Sequence, residues 1–356
     1  MLFLLSSVMK KILACISILC CLIFLGYSQM NTPQQQARYD FAPLIPDYAK
    51  KKLGEIPQPL DNIATVDGVY LGKKLFYDKK LSADNTMSCA TCHAPGKAFA
   101  DFRQFSIGLQ GQIGLRNAPA LFNMAWGNHF FWNGRAASLE HQINDPIVNP
   151  IEMANSWDTV IARLSASKEY EILFAKAFGN TTIDSITVTK ALAQFERSLL
   201  SFNSRYDRYY YQHKDTLSAS ELNGLKIFSG KGKCNTCHAG VLLTDNNFRN
   251  NGLDKRPTEG RYEFTKLASD YGKWKVPSLR NVALTAPFMH DGRFQRLEDV
   301  VAFYSEQIQH KSKNMDSLMR PLGKGIRLSM QEQKDLVAFL KTLTDYEFAS
   351  NKLHAE

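Results

Sequence analysis

The sequence predicts a mainly α-helical chain, built as two tandem units with long loops and little β-structure. Three observations predict it. The pentapeptide Cys-X-X-Cys-His occurs twice, as Cys89-Ala-Thr-Cys92-His93 and Cys234-Asn-Thr-Cys237-His238, near the front of each unit. Apolar residues recur at helical spacing in Val188, Ala191, Leu192, Phe195 and Leu199, in Leu297, Val300, Val301, Tyr304 and Ile308, and in Leu336, Phe339, Leu340 and Leu343. Strand-like alternation is sparse, and Gly/Asn/Pro-rich stretches at 94–120 and 239–282 separate the helices. Loops of that length in a compact domain are usually functional.

Residues 1–28 read as a secretory signal. Lys10 and Lys11 precede an apolar run from Ile12 to Leu25, and Gly26-Tyr27-Ser28 supplies the small-residue end. The run is short for a membrane span, so cleavage after Ser28 is expected, with an uncleaved anchor as the alternative. Residues 29–205 form the first unit and 217–348 the second. Between them 206–216 breaks the apolar periodicity and reads as a connector; 349–356 is a tail. Ser220-Glu221 and Ser329-Met-Gln-Glu332 read as helix starts, the latter as a capping box.

Cys-X-X-Cys-His is the attachment site of c-type haem: the thiols add to the porphyrin vinyl groups and the histidine reaches the iron. Zinc sites usually place their remaining ligands further away, and a redox dithiol does not need the histidine. Two haem c groups are therefore expected, and the units become tandem cytochrome c-type domains. Of seven cysteines, Cys15, Cys20 and Cys21 lie in the signal and four in the motifs. The processed chain would keep no spare thiol, which suits an oxidising compartment. Haem is attached outside the cytoplasm in bacteria, so a periplasmic location agrees. The 356 residues, 44% hydrophobic, suffice for two domains. The formal charge of +9 falls to +7 without Lys10 and Lys11. That excess suits an acidic redox partner or solubility, and without a basic run interleaved with aromatics it excludes nucleic acid.

Several segments together resemble the bacterial dihaem cytochrome c peroxidases and the related MauG-type enzymes. They are Leu71–Ser82, Ser88–His93, Arg116–Pro119, Phe131–Ala137, Leu139–Gln142, Asn149–Met153, Cys234–His238, Val276–Asn281 and Thr285–Arg293, in that order. The resemblance implies a peroxide-reducing haem on His93 and an electron-receiving haem on His238, with Trp132 between them. It implies Glu152 as general acid–base, with Gln142 and Pro146 shaping its pocket. The substrate would be hydrogen peroxide and the electron donor a small cytochrome c or cupredoxin; a homodimer is compatible. Two alternatives remain: a MauG-like oxidase modifying residues of a partner protein, and a dihaem electron carrier without catalysis.

The chain departs from the better-known peroxidases where Leu109 replaces a loop histidine that ligates the resting peroxide haem; leucine cannot ligate iron. His129 and His141 do not match that position. Asn133 replaces a common aspartate. For the second haem the resemblance points to Tyr304 as distal ligand, with Met289 as rival and Met315 and Met319 as remoter candidates. It further implies a calcium ion held by Asn117, Thr285 and Pro287, an all-oxygen set suited to Ca²⁺. Arg116, Arg135, Arg280 and Arg293 are candidates to pair with haem propionates. His290 is read as a supporting residue.

Overall fold

Short polar residues placed just before apolar runs decide where the helices begin. Ser138, Ser156, Asp184, Ser204, Ser218 and Ser329 each accept a hydrogen bond from a backbone N–H of the turn that follows, which satisfies donors that a helix start leaves orphaned. Ser329 with Glu332 forms the expected capping box. The second expected start lies two residues early: Ser218, not Ser220, is the cap, paired with Glu221.

The computed structural model describes residues 36–179 and 181–356, so the secretory signal expected at 1–28 lies outside the described residues. The α-helices are α1 Asp47–Leu53, α2 Val66–Tyr77, α3 Leu139–Val148, α4 Trp157–Ser165, α5 Lys168–Phe178, α6 Ser185–Ser198, α7 Arg205–Tyr210, α8 Ala219–Ser229, α9 Tyr262–Thr265, α10 Leu297–Ala302, α11 Met330–Lys341 and α12 Tyr346–Ser350. Extended pairing among the described residues is slight: β1 Phe248–Arg249 pairs antiparallel with β2 Trp274–Lys275. No described helix is long and apolar enough to cross a membrane.

Two helix pairs repeat one design. In α2 a Cβ on Gly72 would lie 1.9 Å from the Ala191 carbonyl of α6; in α8 a Cβ on Gly224 would lie 2.0 Å from the Asp335 carbonyl of α11. Only glycine lets the backbones approach so closely. The surrounding residues match too: Gly72-Lys-Lys-Leu-Phe76 and Gly224-Leu-Lys-Ile-Phe228. The first helix of each pair precedes one Cys-X-X-Cys-His turn and the second follows it. Each carries its own apolar core, around Leu75, Phe76 and Phe195 in the first half and around Phe228, Leu336 and Phe339 in the second. Complete burial, as for Phe76, contributes about 1.5–3 kcal/mol per large side chain.

The halves are not strung on a flexible link: Arg38–Glu356 forms one unit by contact. The segment read as a connector begins with α7, whose Tyr206 and Asp207 are buried. Its aromatic residues pack rather than link: Tyr206 meets Phe339 edge-on at 5.4 Å. The tail packs as well. Tyr77 donates to the His354 carbonyl at 2.5 Å, and the His354 ring lies 6.0 Å from Phe99.

Candidate functional site

Two cavities adjoin the two cysteine motifs. The first, about 530 Å³, is lined by Cys89, Cys92 and His93. The second, about 350 Å³, is lined by Cys234, Cys237 and His238. Both volumes fall within the ~300–1,000 Å³ of small-molecule and cofactor sites. All four thiols are free; Cys89 and Cys234 open one-turn 3-10 helices, Cys89–Thr91 and Cys234–Thr236, and Cys92 and Cys237 cap their ends.

Each histidine is aimed by a carbonyl. His93 Nδ1 lies 2.8 Å from the Phe99 oxygen; His238 Nδ1 lies 3.1 Å from the Pro277 oxygen and 3.4 Å from that of Leu243. A carbonyl only accepts, so Nδ1 carries the proton and Nε2 keeps its lone pair for a metal. Burial lowers the pKa of both rings, that of His238 to about 4, and holds them neutral as ligands must be. The free thiols, the aimed imidazoles and the cavity sizes fit a haem c at each motif.

The first cavity also contains acid–base groups. Helix α3 contributes Gln142 and Pro146, and the following turn contributes Asn149 and Glu152. Burial pushes the Glu152 carboxyl above its ordinary range, against the opposing pull of Asn149, whose Nδ2 donates to Oε1 at 2.8 Å. Oε2 stays available. Gln142 Oε1 is buried without a hydrogen-bond partner, an acceptor awaiting a donor within the cavity. Leu109 is buried, and its backbone N–H donates to the Glu152 carbonyl at 3.0 Å. A Cβ on the adjacent Gly108 would lie 2.1 Å from the Ile151 carbonyl. The loop is thus pressed against the Glu152 turn. Asn133 in the same wall donates to Glu263 at 3.3 Å.

The second cavity has a different wall. Tyr304, Met289 and Met319 line it, whereas Met315, in the same core cluster, does not reach the wall. Tyr304 sits in a π-helical turn, Phe303–Gln307, that follows α10. Such turns are rare and frequent at functional sites. Asn251 Nδ2 donates to the Tyr304 hydroxyl at 2.8 Å and lies 3.9 Å from Met289 Sδ. Burial pushes the phenol up to about 12.

Trp132 lines both cavities, as do Asn117 and Trp274. The indole Nε1 donates to the Asn117 carbonyl at 2.7 Å, and the Trp132 carbonyl accepts from the Lys275 N–H at 2.8 Å. The strand pair therefore fixes the tryptophan. Asn117 Nδ2 donates to the carbonyls of Arg103 and Gln104 at 3.1 and 3.3 Å, which leaves Oδ1 for another partner. Thr285 and Pro287 share a cavity wall with it. The His290 carbonyl accepts from the Asn117 N–H, and its ring stacks on Trp274 at 4.0 Å. His129 Nδ1 is buried without a partner; His141 is exposed.

The arginines divide. Arg116 and Arg135 line the first cavity, each held by a carboxylate, Glu263 at 3.0 Å and Asp145 at 2.9 Å. Arg293 instead grips Asp254 and Asp291. Arg280 is a correction. It is 1% exposed, makes two bonds to Asp207 at 2.7 and 2.8 Å, and donates its Nε–H to the Val241 carbonyl. With those bonds it is a structural ion pair and absent from both cavity walls.

Sequence reasoning missed Asn251, the partner of Tyr304, and Glu196, a buried carboxyl in the first cavity wall. Only helical spacing pointed to Glu196, which follows Leu192 by four residues on the apolar face of α6.

A family model described as di-haem cytochrome c peroxidase matches residues 66–215. The methylamine utilization protein MauG of Methylorubrum extorquens is 39% identical over 81% of this chain and 81% of that protein. The cytochrome c551 peroxidase of Nitrosomonas europaea is 33% identical over 81% and 83%. Among solved structures, a MauG-like protein associated with microbial copper homeostasis superposes with a TM-score of 0.78 at 35% identity, covering 88% of this chain and 97% of that one.

Proposed function

The chain belongs to the di-haem cytochrome c peroxidase family, and from that premise we propose that it reduces hydrogen peroxide to water with electrons from a small periplasmic cytochrome c or cupredoxin. The observation that carries the reading is the presence of half-buried Glu152 and the unpartnered Gln142 oxygen together in the cavity of His93. A haem held on Cys89, Cys92 and His93 would supply the iron for peroxide, and one on Cys234, Cys237 and His238 would supply the electron-receiving centre.

The protein's own groups do the rest. Gln142 Oε1 accepts a hydrogen bond from peroxide and orients it. Glu152 Oε2 takes the proton from one peroxide oxygen and returns it to the other, so that the leaving oxygen departs as water. A carboxyl raised by burial is better suited to both taking and returning a proton than an ordinary one. Trp132, common to both walls, bridges the two centres. Because position 109 is a buried leucine, it offers no ligand that prior reduction of a haem at the second site would have to displace from one held at the first. Calcium on Asn117 Oδ1 and the Thr285 and Pro287 carbonyls, export with cleavage after Ser28, and a homodimer complete the proposal.

A second reading rests on Tyr304. A phenolate ligand on the second haem would favour ferric iron and slow electron entry, as suits a MauG-like oxidation of residues in a partner protein. A mere electron carrier has no use for the buried acid in the first cavity.

Steady-state turnover of peroxide with a reduced cytochrome c or cupredoxin tests the proposal. Glu152→Gln is expected to lower kcat by about 10²–10⁴-fold while both haem spectra persist. Negligible wild-type turnover, with oxidation of a partner protein instead, would replace the peroxidase reading by the MauG-like one. A wild type inert to peroxide and cyanide would leave only the carrier.

A further inference from the structure

Glu196 is a carboxyl that the scheme above does not use. It lies on α6, 4% exposed, in the wall of the same cavity as His93, Gln142 and Glu152. Its Oε2 is buried and has no hydrogen-bond partner. The adjacent cation is engaged elsewhere: Arg197 donates to both oxygens of Glu140, at 2.8 and 3.1 Å. From the other elements around it, Glu140 of α3 and the Cys89 thiol act on it, and Glu152, Arg116 and Arg135 share its cavity, the two arginines held by Glu263 and Asp145. No cation forms an ion pair with the Glu196 carboxyl. An ionised carboxylate there, drawn only by the charge of Arg197, would carry a desolvation penalty of several kcal/mol. Burial accordingly pushes the group up to about 8, so it holds its proton at neutral pH.

The chemistry of the cavity needs such a group. Reduction of H₂O₂ breaks one O–O bond and consumes two electrons and two protons to give two waters. The transfer by Glu152 is internal: the first water takes both of the peroxide's own protons. The oxygen left behind needs two protons from outside, together with the two electrons of the donor protein. We propose that Glu196 is a second proton-holding carboxyl of this cavity, from which one of those two protons is delivered. Glu152 moves a proton between oxygens; Glu196 brings one in. The inference rests on the peroxidase reading.

The test uses the holoprotein and the isosteric variant Glu196→Gln. An infrared difference spectrum at neutral pH, wild type minus variant, should show a protonated-carboxyl C=O band. Steady-state kcat should fall on the order of 10²-fold, at the lower end of general acid–base contributions, with peroxide KM and both haem spectra unchanged. Glu196→Asp, which restores an acid one methylene short, should recover part of the loss. Absence of the band overturns the proposal, because the carboxyl would then be ionised. A Glu196→Gln kcat equal to that of a wild type that does turn over peroxide overturns the role of Glu196 alone. A wild type without peroxide turnover overturns the peroxidase reading and the delivery role with it.

Discussion

The two cavities share an entrance design and a stretch of wall around Trp132, and differ in the titratable groups that face a bound group. Both open on a Cys-X-X-Cys-His turn, and both rest on a helix pair locked by a glycine, Gly72 or Gly224. Yet Glu152 and Glu196 stand in the first wall, with an unpartnered Gln142, while no aspartate or glutamate lines the second. There the distinctive groups are a phenol and two thioethers, Tyr304, Met289 and Met319, with the half-buried amine of Lys275. A proton-consuming reaction needs groups that hold and release protons. An electron-entry site is better served by a saturated metal whose potential its ligands set.

The halves form one body, and the Asp207–Arg280 pair is where it would break. The pair is nearly fully buried. Beside it Asn281 Nδ2 donates to Ser201 Oγ, Ser201 Oγ donates to Asp345, and the Asp345 N–H returns to Asn281. This network draws on residues from both halves. Asp207→Ala leaves the guanidinium buried and unpaired, so a loss of about 3–5 kcal/mol is expected, read as a lower denaturation midpoint. Haem absorbance from both sites should be lost in a single transition. Two separate transitions would make the halves independent modules, joined as the sequence alone suggested.

Tyr304→Phe sharpens the contrast between the cavities. If the phenol ligates the second haem, the variant changes only that haem's absorption and raises its reduction potential, because an anionic oxygen ligand favours ferric iron. The first haem and its reaction with peroxide should be unaltered. An unchanged second-haem spectrum would remove Tyr304 and leave Met289, which shares Asn251 with it, as the ligand; Met289→Leu then carries the change.

Covalent chemistry was the part most legible in the sequence. The attachment turns need contiguous residues, and the structure keeps them together beside cavities. Helix periodicity was legible for the same reason, since its repeat is local. The π-turn at Tyr304 was not: Leu297 to Ile308 has uninterrupted helical spacing, and the extra residue per turn follows from packing. Ser218 lost to Ser220 because both precede acidic residues, and only the three-residue spacing to Glu221 separates them. Arg280 and Glu196 failed for a deeper reason. A charged residue reads as surface or ligand-facing until its partner is known, and Asp207 lies 73 residues from Arg280. Glu196 has no protein partner to find.

The smallest expected effect tests whether the proximal sides differ as the cavities do. The His93 ring is held by the Phe99 carbonyl alone, whereas two carbonyls approach His238. Phe99 is fully buried, with left-handed φ of 59°, and the chain end steadies it: its ring lies 5.9 Å from Phe348 and 6.0 Å from His354. Removing residues 349–356 deletes His354 and the acceptor of the Tyr77 hydroxyl, a cost of about 1 kcal/mol for the lost hydrogen bond. Phe99 should then settle less firmly and the imidazole should tilt, so a small shift is expected in the spectrum of the first haem. The second haem, whose histidine hangs from Leu243 and Pro277, has no contact with the tail through which to respond. A shift confined to the second haem, or equal in both, would show that the tail does not act through Phe99.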